Sequence, residues 1–523
     1  MEYDYVIIGS GFGGSVSALR LSEKGYKVLM IEKGKWYKAA EFAKTNWDVK
    51  RWLWIPMLNC FGIMKLSLFR QVTIASGVGV GGGSLVYANT LPIPKSTFFK
   101  SGSWGELNNW EEDLKPHYQT ALKMLGAQRN PVLFDADKAL QQVAQKLGKE
   151  DQFSPTNVAV YFGQPNVSDP DPYFDGKGPK RTGCNYCGAC MTGCPNNSKN
   201  TLDKNYLYLA QSKGAKIIAE QEVYDVKPFK SENGSKGYEV FIKGSTTIFK
   251  KKQKIKTKGV IFSGGVLGSI KLLLKLQKTS LPRLSKKLGH EVRTNNETLV
   301  SISSLNKDLD LSKGLAIGSI LHTDENSHLE ICRYSKGSGA WKLFHLPYSV
   351  SRNPFIRYIN TIWSFVKSPL KYFKVYFKNS WAKSTGVLLF MQTLDSTIIF
   401  KRNIFGRMKS SIGSGKKPSP YIPESIKLTS LYADQVDGKA TSFIGETLMG
   451  IPSTAHILGG AVMGNDAQKG VIDKNNKVFG YKNLFVIDGS MISANPGVNP
   501  SLSITAIAER AMSKIKTKVS KKI

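Results

Sequence analysis

The sequence predicts an α/β protein, α+β overall, in which a doubly wound parallel sheet is joined to a second, mixed sheet. Two observations predict this class. The first residues read as strand, glycine turn, helix, strand and acid, which is one half of a doubly wound sheet. A strand running into a glycine turn returns at 259–265 (GVIFSGG), and a short apolar strand at 483–488 (NLFVID) ends on an acid. The parallel sheet should therefore draw on the beginning, the middle and the end of the chain.

The N-terminal glycine turn has the residues and the context of a dinucleotide-binding loop. The apolar run 5–8 leads into GSGFGG, and a second strand ends in Glu32. Gly9 permits a tight turn, Gly11 lets the backbone approach a pyrophosphate, and Gly14 allows close packing of helix on strand. Glu32 is expected to accept hydrogen bonds from a ribose. The motif alone does not distinguish FAD from NAD.

Length and charge limit what the chain is. A chain of 523 residues is too long for one hydrophobic core, so two domains are expected. No stretch reaches the roughly 18 apolar residues that a membrane span needs, and no secretory signal precedes the first strand, so a cytoplasmic protein is expected. The 73 basic and 39 acidic residues give a net charge of +34, which favours an anionic partner.

One segment indicates which anionic partner to expect. No acid lies between Glu330 and Asp395, and within this gap 355–383 interleaves aromatic residues with lysine and arginine. Aromatic rings and snorkelling lysines suit the interface of an anionic membrane, so a peripheral location on its inner face is expected. Single-stranded nucleic acid is the rival partner, but no nucleic-acid-binding motif is present and none is expected. The remaining alternative is a helix pair packed into the core with a basic outer face.

Four of the six cysteines stand in one run: Cys184, Cys187, Cys190 and Cys194. The spacing C-x2-C-x2-C-x3-C-P is that of bacterial ferredoxins. Disulfides are not expected in a cytoplasmic chain, and thiolates this close usually share a metal. The run predicts a [4Fe–4S] cluster, with structural zinc and metal-free packing cysteines as alternatives. One cluster would need either all four cysteines in a wrapped loop or three of them with a remote ligand.

A second glycine-rich stretch and the C-terminal tenth of the chain supply further site residues. The stretch 76–89 reads SGVGVGGGSLVYAN, and so many glycines indicate backbone that runs close along a ligand. Near the end, His456 stands in a glycine-rich loop, and Asn499 precedes a helix with one apolar face. A histidine in a glycine loop, an acid at a strand tip and a polar donor at a helix start suit a site where an alcohol meets a flavin.

These motifs resemble the glucose–methanol–choline (GMC) oxidoreductases, in particular the bacterial cholesterol oxidase-like branch. The resemblance covers nearly the whole chain, from GSGFGGS through GVGVGGGSLVYAN, IFSGGVLGS and TAHILGGAVMG to GVNPSLSITAIAER. It implies FAD, bound non-covalently because no histidine stands where the covalent members carry theirs. It assigns His456 and Asn499 to catalysis. It assigns the following residues to the cofactor: Gly9, Gly11, Gly14, Glu32, Gly81, Gly82, Gly83, Ser84, Asn89, Val223, Asp488, Gly489, Asn499 and Pro500.

The resemblance also implies a reaction. His456 would position or deprotonate the hydroxyl of a hydrophobic alcohol (a sterol, a terpenoid or a long-chain alcohol), and a hydride would pass to flavin N5. Asn499 would donate to the substrate oxygen or to the reduced flavin. Secreted cholesterol oxidases carry a glutamate just before the strand that corresponds to 387–392, whereas 381–386 here has no acid, so no carboxylate relay is expected. The electron acceptor stays open between O2, a quinone and an electron carrier.

Two other functions stay open. One is a lipid isomerase or decarboxylase that uses FAD without net alcohol oxidation, and the other is a basic lipid-binding or nucleic-acid-binding protein on an inactive scaffold. The predicted domains are a discontinuous Rossmann-like FAD domain from 1–95, 215–300 and 455–523, a substrate-binding domain with a mixed sheet at 300–454 that contains 355–383, and an insertion at 96–214 that carries the cysteines.

Overall fold

The computed structural model describes residues 1–247, 249–349, 351–413 and 417–519. Positions 248 and 520–523 of the predicted FAD domain, and positions 350 and 414–416 of the predicted substrate-binding domain, lie outside the described residues. The described strands are β1 (Tyr3–Ile8), β2 (Val28–Ile31), β3 (Trp54–Ile55), β4 (Cys60–Phe61), β5 (Met64–Leu68), β6 (Thr73–Gly77), β7 (Gln128–Arg129), β8 (Phe153–Pro155), β9 (Asn157–Val158), β10 (Ser168–Asp169), β11 (Arg181–Thr182), β12 (Lys216–Ile218), β13 (Gln221–Pro228), β14 (Tyr238–Gly244), β15 (Lys252–Phe262), β16 (Val292–Arg293), β17 (Glu297–Ser304), β18 (Ile317–His322), β19 (Ser327–Cys332), β20 (His345–Pro347), β21 (Thr385–Gln392), β22 (Thr397–Arg402), β23 (Met408–Ile412), β24 (Gly438–Phe443), β25 (Ser453–Thr454) and β26 (Leu484–Val486). The described α-helices are α1 (Phe12–Glu23), α2 (Val49–Trp52), α3 (Ser96–Lys100), α4 (Trp110–Met124), α5 (Asp135–Lys146), α6 (Tyr206–Ser212), α7 (Gly265–Leu276), α8 (Pro354–Lys367), α9 (Pro369–Phe377), α10 (Trp381–Ser384), α11 (Pro423–Gln435), α12 (Ile444–Met449) and α13 (Ser501–Ser513).

The first sheet has a parallel centre, as the sequence predicts. β1 lies between β2 and β15, β12 continues the sheet beyond β2, and all four run parallel. The second half of β15 pairs in parallel with β26, and its first half pairs antiparallel with β14, which in turn pairs with β13. Because parallel strands end at one edge of a sheet, Gly9, Glu32 and Asp488 come together there. The predicted α/β class with a Rossmann-like unit is confirmed.

The second sheet has the strand order β20-β24-β17-β21-β19-β18-β8, and its described pairings are antiparallel. One face packs on α5 and α11 through alternate side chains such as Ile302, Leu388 and Phe390. The opposite face looks toward the first sheet. The residues on that opposite face therefore decide what the space between the two sheets can bind.

The segment 355–383 forms two helices that expose their apolar side chains. α8 begins with Pro354 at its first position, where the missing N–H costs nothing, and the Asn353 side chain accepts a hydrogen bond from the Phe355 N–H at 2.9 Å. Arg357 points inward, and its Nε donates to the carbonyl of Thr447 at 2.9 Å. The basic side chain on the inner side of α8 thus fixes the helix to α12 and leaves the apolar stripe outside.

The predicted domain boundaries stay a prediction. The seven strands of the first sheet fall at 3–31, 216–262 and 484–486, and the second sheet takes most of its strands from 297–443. β8, which lies within the predicted insertion 96–214, pairs with β18 at the edge of the second sheet. Within the described residues, no helix combines the length and the apolar composition that crossing a bilayer requires.

Candidate active site

A cavity of about 670 Å³ lies between the two sheets. One end is lined by the glycine turn after β1, by Glu32 and by Val223. The other end is lined by His456 and Asn499. The structure therefore brings the N-terminal motif and the C-terminal residues into one space, although more than 400 positions separate them in sequence.

The glycines of the first turn act in three different ways. Gly9 has a left-handed φ of 102°, and a Cβ built there would overlap the carbonyl oxygen of Ser263. A Cβ on Gly14 would overlap the carbonyl oxygen of Gly9, so this glycine allows helix α1 to pack on the strand. A Cβ on Gly11 would meet no protein atom within 4 Å, and Gly11 lines the cavity. The turn thus leaves room beside Gly11 for a ligand, as a dinucleotide pyrophosphate requires.

Glu32 is buried at the tip of β2 and holds the glycine turn. Its Oε2 accepts from the Ser10 hydroxyl at 2.8 Å and from the Ser10 N–H at 3.1 Å, and its Oε1 accepts from the Gly34 N–H at 2.9 Å. Each carboxylate oxygen can accept more than one hydrogen bond, so Glu32 keeps capacity for a ribose hydroxyl. Val223, on β13, lines the cavity beside it.

Asp488 lies just beyond β26 and organises the turn that follows. Its Oδ1 accepts from the Ser490 N–H at 2.8 Å, and its Oδ2 accepts from the Ser269 hydroxyl at 2.5 Å. Burial raises the pKa of the Asp488 carboxyl above its usual range, while the two serine hydroxyls act in the opposite direction. Asp488, Gly489 and Pro500 all line the cavity.

The second glycine stretch lines the cavity with fewer residues than the resemblance implies. Gly82 and Gly83 line it, and a Cβ on Gly82 would come within 2.8 Å of the Cα of Gly11. Gly81 lies behind the cavity wall that Gly82 and Gly83 form, and its N–H donates to the Ser10 hydroxyl at 3.1 Å. Gly81 therefore joins the two glycine turns but does not itself line the cavity.

Ser84 and Asn89 also lie behind the cavity wall. The Ser84 hydroxyl donates to a backbone carbonyl of its own turn and accepts from the Leu202 N–H at 3.1 Å. Asn89 is fully buried with a left-handed φ of 71°, and it is the neighbouring Ala88 and Thr90 that line the cavity. The resemblance implied that both residues lie along the flavin, whereas here the Ser84 hydroxyl fixes the loop and the Asn89 side chain lies toward Cys190.

His456 is held by a carboxylate from the second sheet. Its Nδ1 lies 2.6 Å from Oε2 of Glu297, and the other oxygen of Glu297 accepts from the Ala455 N–H at 2.9 Å. A carboxylate only accepts, so Nδ1 carries the hydrogen and Nε2 is left for a substrate. Burial works against a charged imidazole, but the contact with Glu297 outweighs it and raises the pKa of His456 above its usual value.

Asn499 is held by a second carboxylate. With its amide nitrogen directed toward Glu330, Asn499 donates to both carboxyl oxygens, at 2.9 and 3.2 Å. Burial raises the pKa of Glu330 to about 8, although His456 and Asn499 act to lower it. Glu330 is fully buried and lies behind Asn499, which itself lines the cavity.

Strand register explains why two acids reach the same site. Glu297 on β17 stands opposite Met391 of β21, and Glu330 on β19 stands opposite Leu389 of the same strand. Positions 389 and 391 share one face of β21, so both glutamates point to the cavity side of the sheet. Neighbouring strands thus supply one carboxylate for His456 and another for Asn499.

The segment 381–386, before β21, has no acid, as the sequence shows, so no carboxylate comes from there. The acids at this site come instead from the strands on either side of β21. A signal was present in the sequence, since Glu330 stands in the apolar run HLEIC, where an unpaired charge would be costly. Glu297 carries no such signal because it stands at the beginning of its strand.

The cysteine run lies beside the cavity, and Met191 within it lines the cavity wall. All six cysteines are free thiols. The described residues contain no group of three or more His, Cys, Asp or Glu side chains arranged to hold a single metal ion.

Comparison with known proteins identifies the family. The GMC oxidoreductase profile matches residues 179–280 and 394–508, and the profile of an NAD(P)-binding Rossmann-like domain matches residues 7–35. A cholesterol oxidase of Acinetobacter baumannii is 44% identical, with 99% of this chain and 95% of that protein covered. The chain belongs to the GMC oxidoreductases. A cholesterol oxidase of Mycobacterium tuberculosis is 43% identical over 98% of this chain and 91% of its own length.

More distant relatives agree with this assignment. A long-chain-alcohol oxidase of Arabidopsis thaliana is 24% identical over 98% of this chain and 67% of that protein. The fold is similar to the crystal structure of pyridoxine 4-oxidase from Mesorbium loti, with a TM-score of 0.63, 14% identity and 98% of each chain covered. As a GMC oxidoreductase, the protein is an FAD-dependent alcohol oxidoreductase.

Replacing Gly11 by valine should weaken FAD binding and leave the chain folded. The new side chain would meet no protein atom but would fill space on the ligand side of the turn. Overpacking of about 1–3 kcal/mol corresponds to binding that is roughly tenfold to a hundredfold weaker. Gly9→Ala is the contrasting variant, because its Cβ overlaps Ser263 and should destabilise the fold itself. Flavin content and thermal unfolding separate the two effects, and a Gly11→Val protein with full flavin affinity would contradict the assignment.

Proposed function

We propose that this protein oxidises the hydroxyl group of a hydrophobic alcohol (a sterol, a terpenoid or a long-chain alcohol) with non-covalently bound FAD. The observation that carries the proposal is the pair of carboxylate-held polar groups, Glu297–His456 and Glu330–Asn499, at one end of the dinucleotide cavity. When bound, FAD supplies the acceptor for the hydride that leaves the alcohol carbon.

The substrate hydroxyl is handled by His456. Since Glu297 occupies Nδ1, the free Nε2 accepts the hydroxyl proton, and the resulting imidazolium is stabilised by the carboxylate at 2.6 Å. Asn499 lines the same end of the cavity, and Glu330 keeps its amide from turning. His456 and Asn499 are thus the catalytic residues, and the two glutamates position them.

The walls of this end of the cavity favour an apolar substrate. Side chains of the second sheet face it, and two tryptophans from outside the sheet complete it: Leu299, Ile317, Val387, Leu389, Phe443, Trp341 and Trp381. Burying a sterol or alkyl chain against these groups contributes roughly 25 cal/mol per Å² of apolar surface. Relatives named for cholesterol and for long-chain alcohols support the same substrate class.

A substrate panel tests the proposal. The purified protein is given a 3-hydroxysteroid, a long-chain primary alcohol and a polar sugar alcohol, and the products are identified by mass. We expect loss of two hydrogens from one or both hydrophobic alcohols and at least tenfold lower kcat/KM for the sugar alcohol. A product with the mass of the substrate, or one that has lost carbon dioxide, would instead indicate the isomerase or decarboxylase alternative.

The hydrophobic substrate reaches the cavity from an anionic bilayer. The apolar face of α8 and α9 is exposed to solvent: Phe355, Ile356, Tyr358, Ile359, Ile362, Trp363, Val366, Leu370, Phe373 and Phe377. Such a surface is too apolar for a helix pair that faces water, and the exposed Lys367, Lys371 and Lys374 complement anionic headgroups. The Tyr376 hydroxyl donates to the carbonyl of His345, and His345 lines the cavity. The helix pair therefore lies beside the substrate end of the cavity.

Removing the aromatic anchors should release the protein from vesicles. Trp363 and Phe373 are 61% and 59% exposed, and Phe249, at 91%, offers a matched control between β14 and β15, outside the helix pair. We expect Trp363→Ser with Phe373→Ser to lower partitioning onto phosphatidylserine-containing vesicles at least tenfold, and Phe249→Ser to leave it unchanged. Lys371→Glu with Lys374→Glu should cost about 2 kcal/mol, roughly thirtyfold, on anionic vesicles only. Equal sedimentation of all variants with the vesicles would contradict membrane docking.

A further inference from the structure

The cysteine run forms a wrapped loop in which all four cysteines share one void. Cys184, Cys187, Cys190 and Cys194 line this small void together with Ser198, Lys199 and Gly314. Left-handed backbone at Tyr186, Gly188 and Gly193 turns the loop between successive cysteines. At Gly188 a side chain is excluded, because a Cβ would overlap the carbonyl oxygen of Ser312. The four thiols are therefore gathered by the fold as well as by the spacing of the sequence.

N–H groups surround the sulfur atoms. Sγ of Cys194 accepts from the N–H of Ser198 at 3.3 Å and from that of Lys199 at 3.5 Å. Sγ of Cys184 accepts from the Tyr186 N–H at 3.4 Å. A neutral thiol is a weak acceptor, so several N–H donors around the sulfurs favour thiolate ligands.

Two buried cations adjoin the cysteines and have no carboxylate partner. Arg181 and Lys199 are 0% and 1% exposed. Lys199 Nζ donates to the carbonyls of Leu85, Tyr87 and Cys190 at 2.7–3.0 Å, and Arg181 donates to carbonyl and amide oxygens. Neither forms an ion pair with an acid within the part of the chain that the structure describes. Asp203 is close enough to act on both charges, but it pairs directly with Lys204 at 2.6 Å. An anionic group held by the cysteines would therefore stabilise Arg181 and Lys199.

Two buried polar side chains at the same place are unpartnered. Ser198 lines the void and is 1% exposed, yet its hydroxyl has no hydrogen-bond partner. Asn89 is fully buried, lies beside Cys190, and makes no well-formed hydrogen bond with either end of its amide. Buried polar groups are normally satisfied, so both side chains indicate a missing acceptor or donor.

We propose that Cys184, Cys187, Cys190 and Cys194 bind one [4Fe–4S] cluster. The spacing C-x2-C-x2-C-x3-C-P is that of iron–sulfur ligation, which favours a cluster over a single zinc ion. With four thiolates, the cluster would place negative charge beside the buried Arg181 and Lys199. A remote ligand is not needed, because all four cysteines of the run line the void. The two other cysteines lie elsewhere: Cys332 lines the large cavity, and Cys60 lines neither space.

The cluster site and the flavin cavity share a thin wall. Tyr87 and Ala88 line the cavity, and the next residue, Asn89, lies against Cys190. Met191, the neighbour of Cys190 on the other side, also lines the cavity. This inference rests on the proposed alcohol oxidation. The four cysteines would hold the cluster beside the cavity, where it would supply a one-electron route from reduced FAD to a one-electron acceptor. Two one-electron transfers and the release of two protons would balance each alcohol oxidised.

Anaerobic purification of the full chain tests the site. We expect about four irons and four acid-labile sulfides per chain, and a paramagnetic signal after reduction with dithionite. Cys187→Ser and Cys194→Ser should each lower the iron content to less than half, whereas Cys60→Ser, a buried cysteine outside the loop, should keep all of it. Zinc in place of iron, or wild-type protein that binds no iron even after reconstitution with iron and sulfide, would overturn the proposal.

A second measurement distinguishes a failure of the cluster proposal from a failure of the proposed alcohol oxidation. Wild-type protein reduced with a hydrophobic alcohol instead of dithionite should develop the same paramagnetic signal, which shows transfer from flavin to cluster. Flavin that bleaches while the cluster stays oxidised would overturn the relay and leave the binding site standing. Iron-loaded protein whose flavin does not bleach with any alcohol would instead count against the proposed function alone.

Discussion

Replacing His456 by alanine should lower kcat by roughly a hundredfold to ten-thousandfold, the range that a positioned general base contributes. The loss follows from removing Nε2, the nitrogen that Glu297 leaves free toward the cavity. Flavin content should not change, because the glycine turn that holds the dinucleotide lies at the other end of the cavity. Steady-state turnover of a hydrophobic alcohol, normalised to bound flavin, measures the effect.

Two further variants make this result specific. His117→Ala is the control variant, because His117 does not line the cavity. Its turnover should stay within about twofold of wild type. Glu297→Gln keeps the shape of the pair but removes the charge that raises the pKa of His456, so burial should then lower that pKa. The pH at which kcat/KM rises should move to a lower value in Glu297→Gln. Turnover of His456→Ala within a few fold of wild type would contradict the proposed proton transfer.

Replacing Glu330 by glutamine should stabilise the folded protein at alkaline pH. The folded-state pKa of about 8 lies above the ordinary 4.5, so the stability associated with neutral Glu330 is complete below about pH 4.5 and is lost progressively as the pH rises to about 8. A shift of this size corresponds to roughly 2–4 kcal/mol at pH 9, with allowance for relaxation. Urea unfolding at about pH 4.5 and at about pH 9 should show the gain in Glu330→Gln mainly at the higher pH.

The same substitution tests how Glu330 positions Asn499. A glutamine oxygen still accepts from the Asn499 amide, so turnover should persist in Glu330→Gln while the inflection near pH 8 disappears from the kcat/KM profile. Glu330→Ala leaves that amide unpartnered at a cost of about 1–3 kcal/mol, so kcat should fall by roughly tenfold to a hundredfold. Glu446 is the matched control, since burial raises its pKa to about 8 as well and its Oε1 accepts from the Ser453 N–H. Glu446→Gln should gain stability at pH 9 and keep the inflection.

Local pattern predicted those parts of the fold and the site that depend on neighbouring residues. The turn around Gly9 could be predicted because strand, glycines, helix and acid follow one another within 32 positions. The strand before Asp488 and the helix after Pro500 were predictable in the same way. The convergence of His456 and Asn499 on this turn followed only from the resemblance, since no local pattern links such distant positions.

Register and side-chain direction could not be predicted. Glu297 and Glu330 meet at the site because β17 and β19 flank β21 in one specific register, and a shift by one residue would turn both acids to the opposite face. No local pattern indicates that Ser84 and Asn89 lie behind the cavity wall. The sequence also left open which side of α8 is outside, which the inward Arg357 decides.

Anaerobic mixing of the wild-type protein with a hydrophobic alcohol is the decisive experiment for the proposed alcohol oxidation. We expect the flavin absorption to bleach in one turnover, one equivalent of ketone or aldehyde to form per bound flavin, and His456→Ala to bleach at least a hundredfold more slowly. An oxidised flavin that persists with sterol and long-chain alcohols alike, or bleaching that is equally fast without His456, would contradict this proposal.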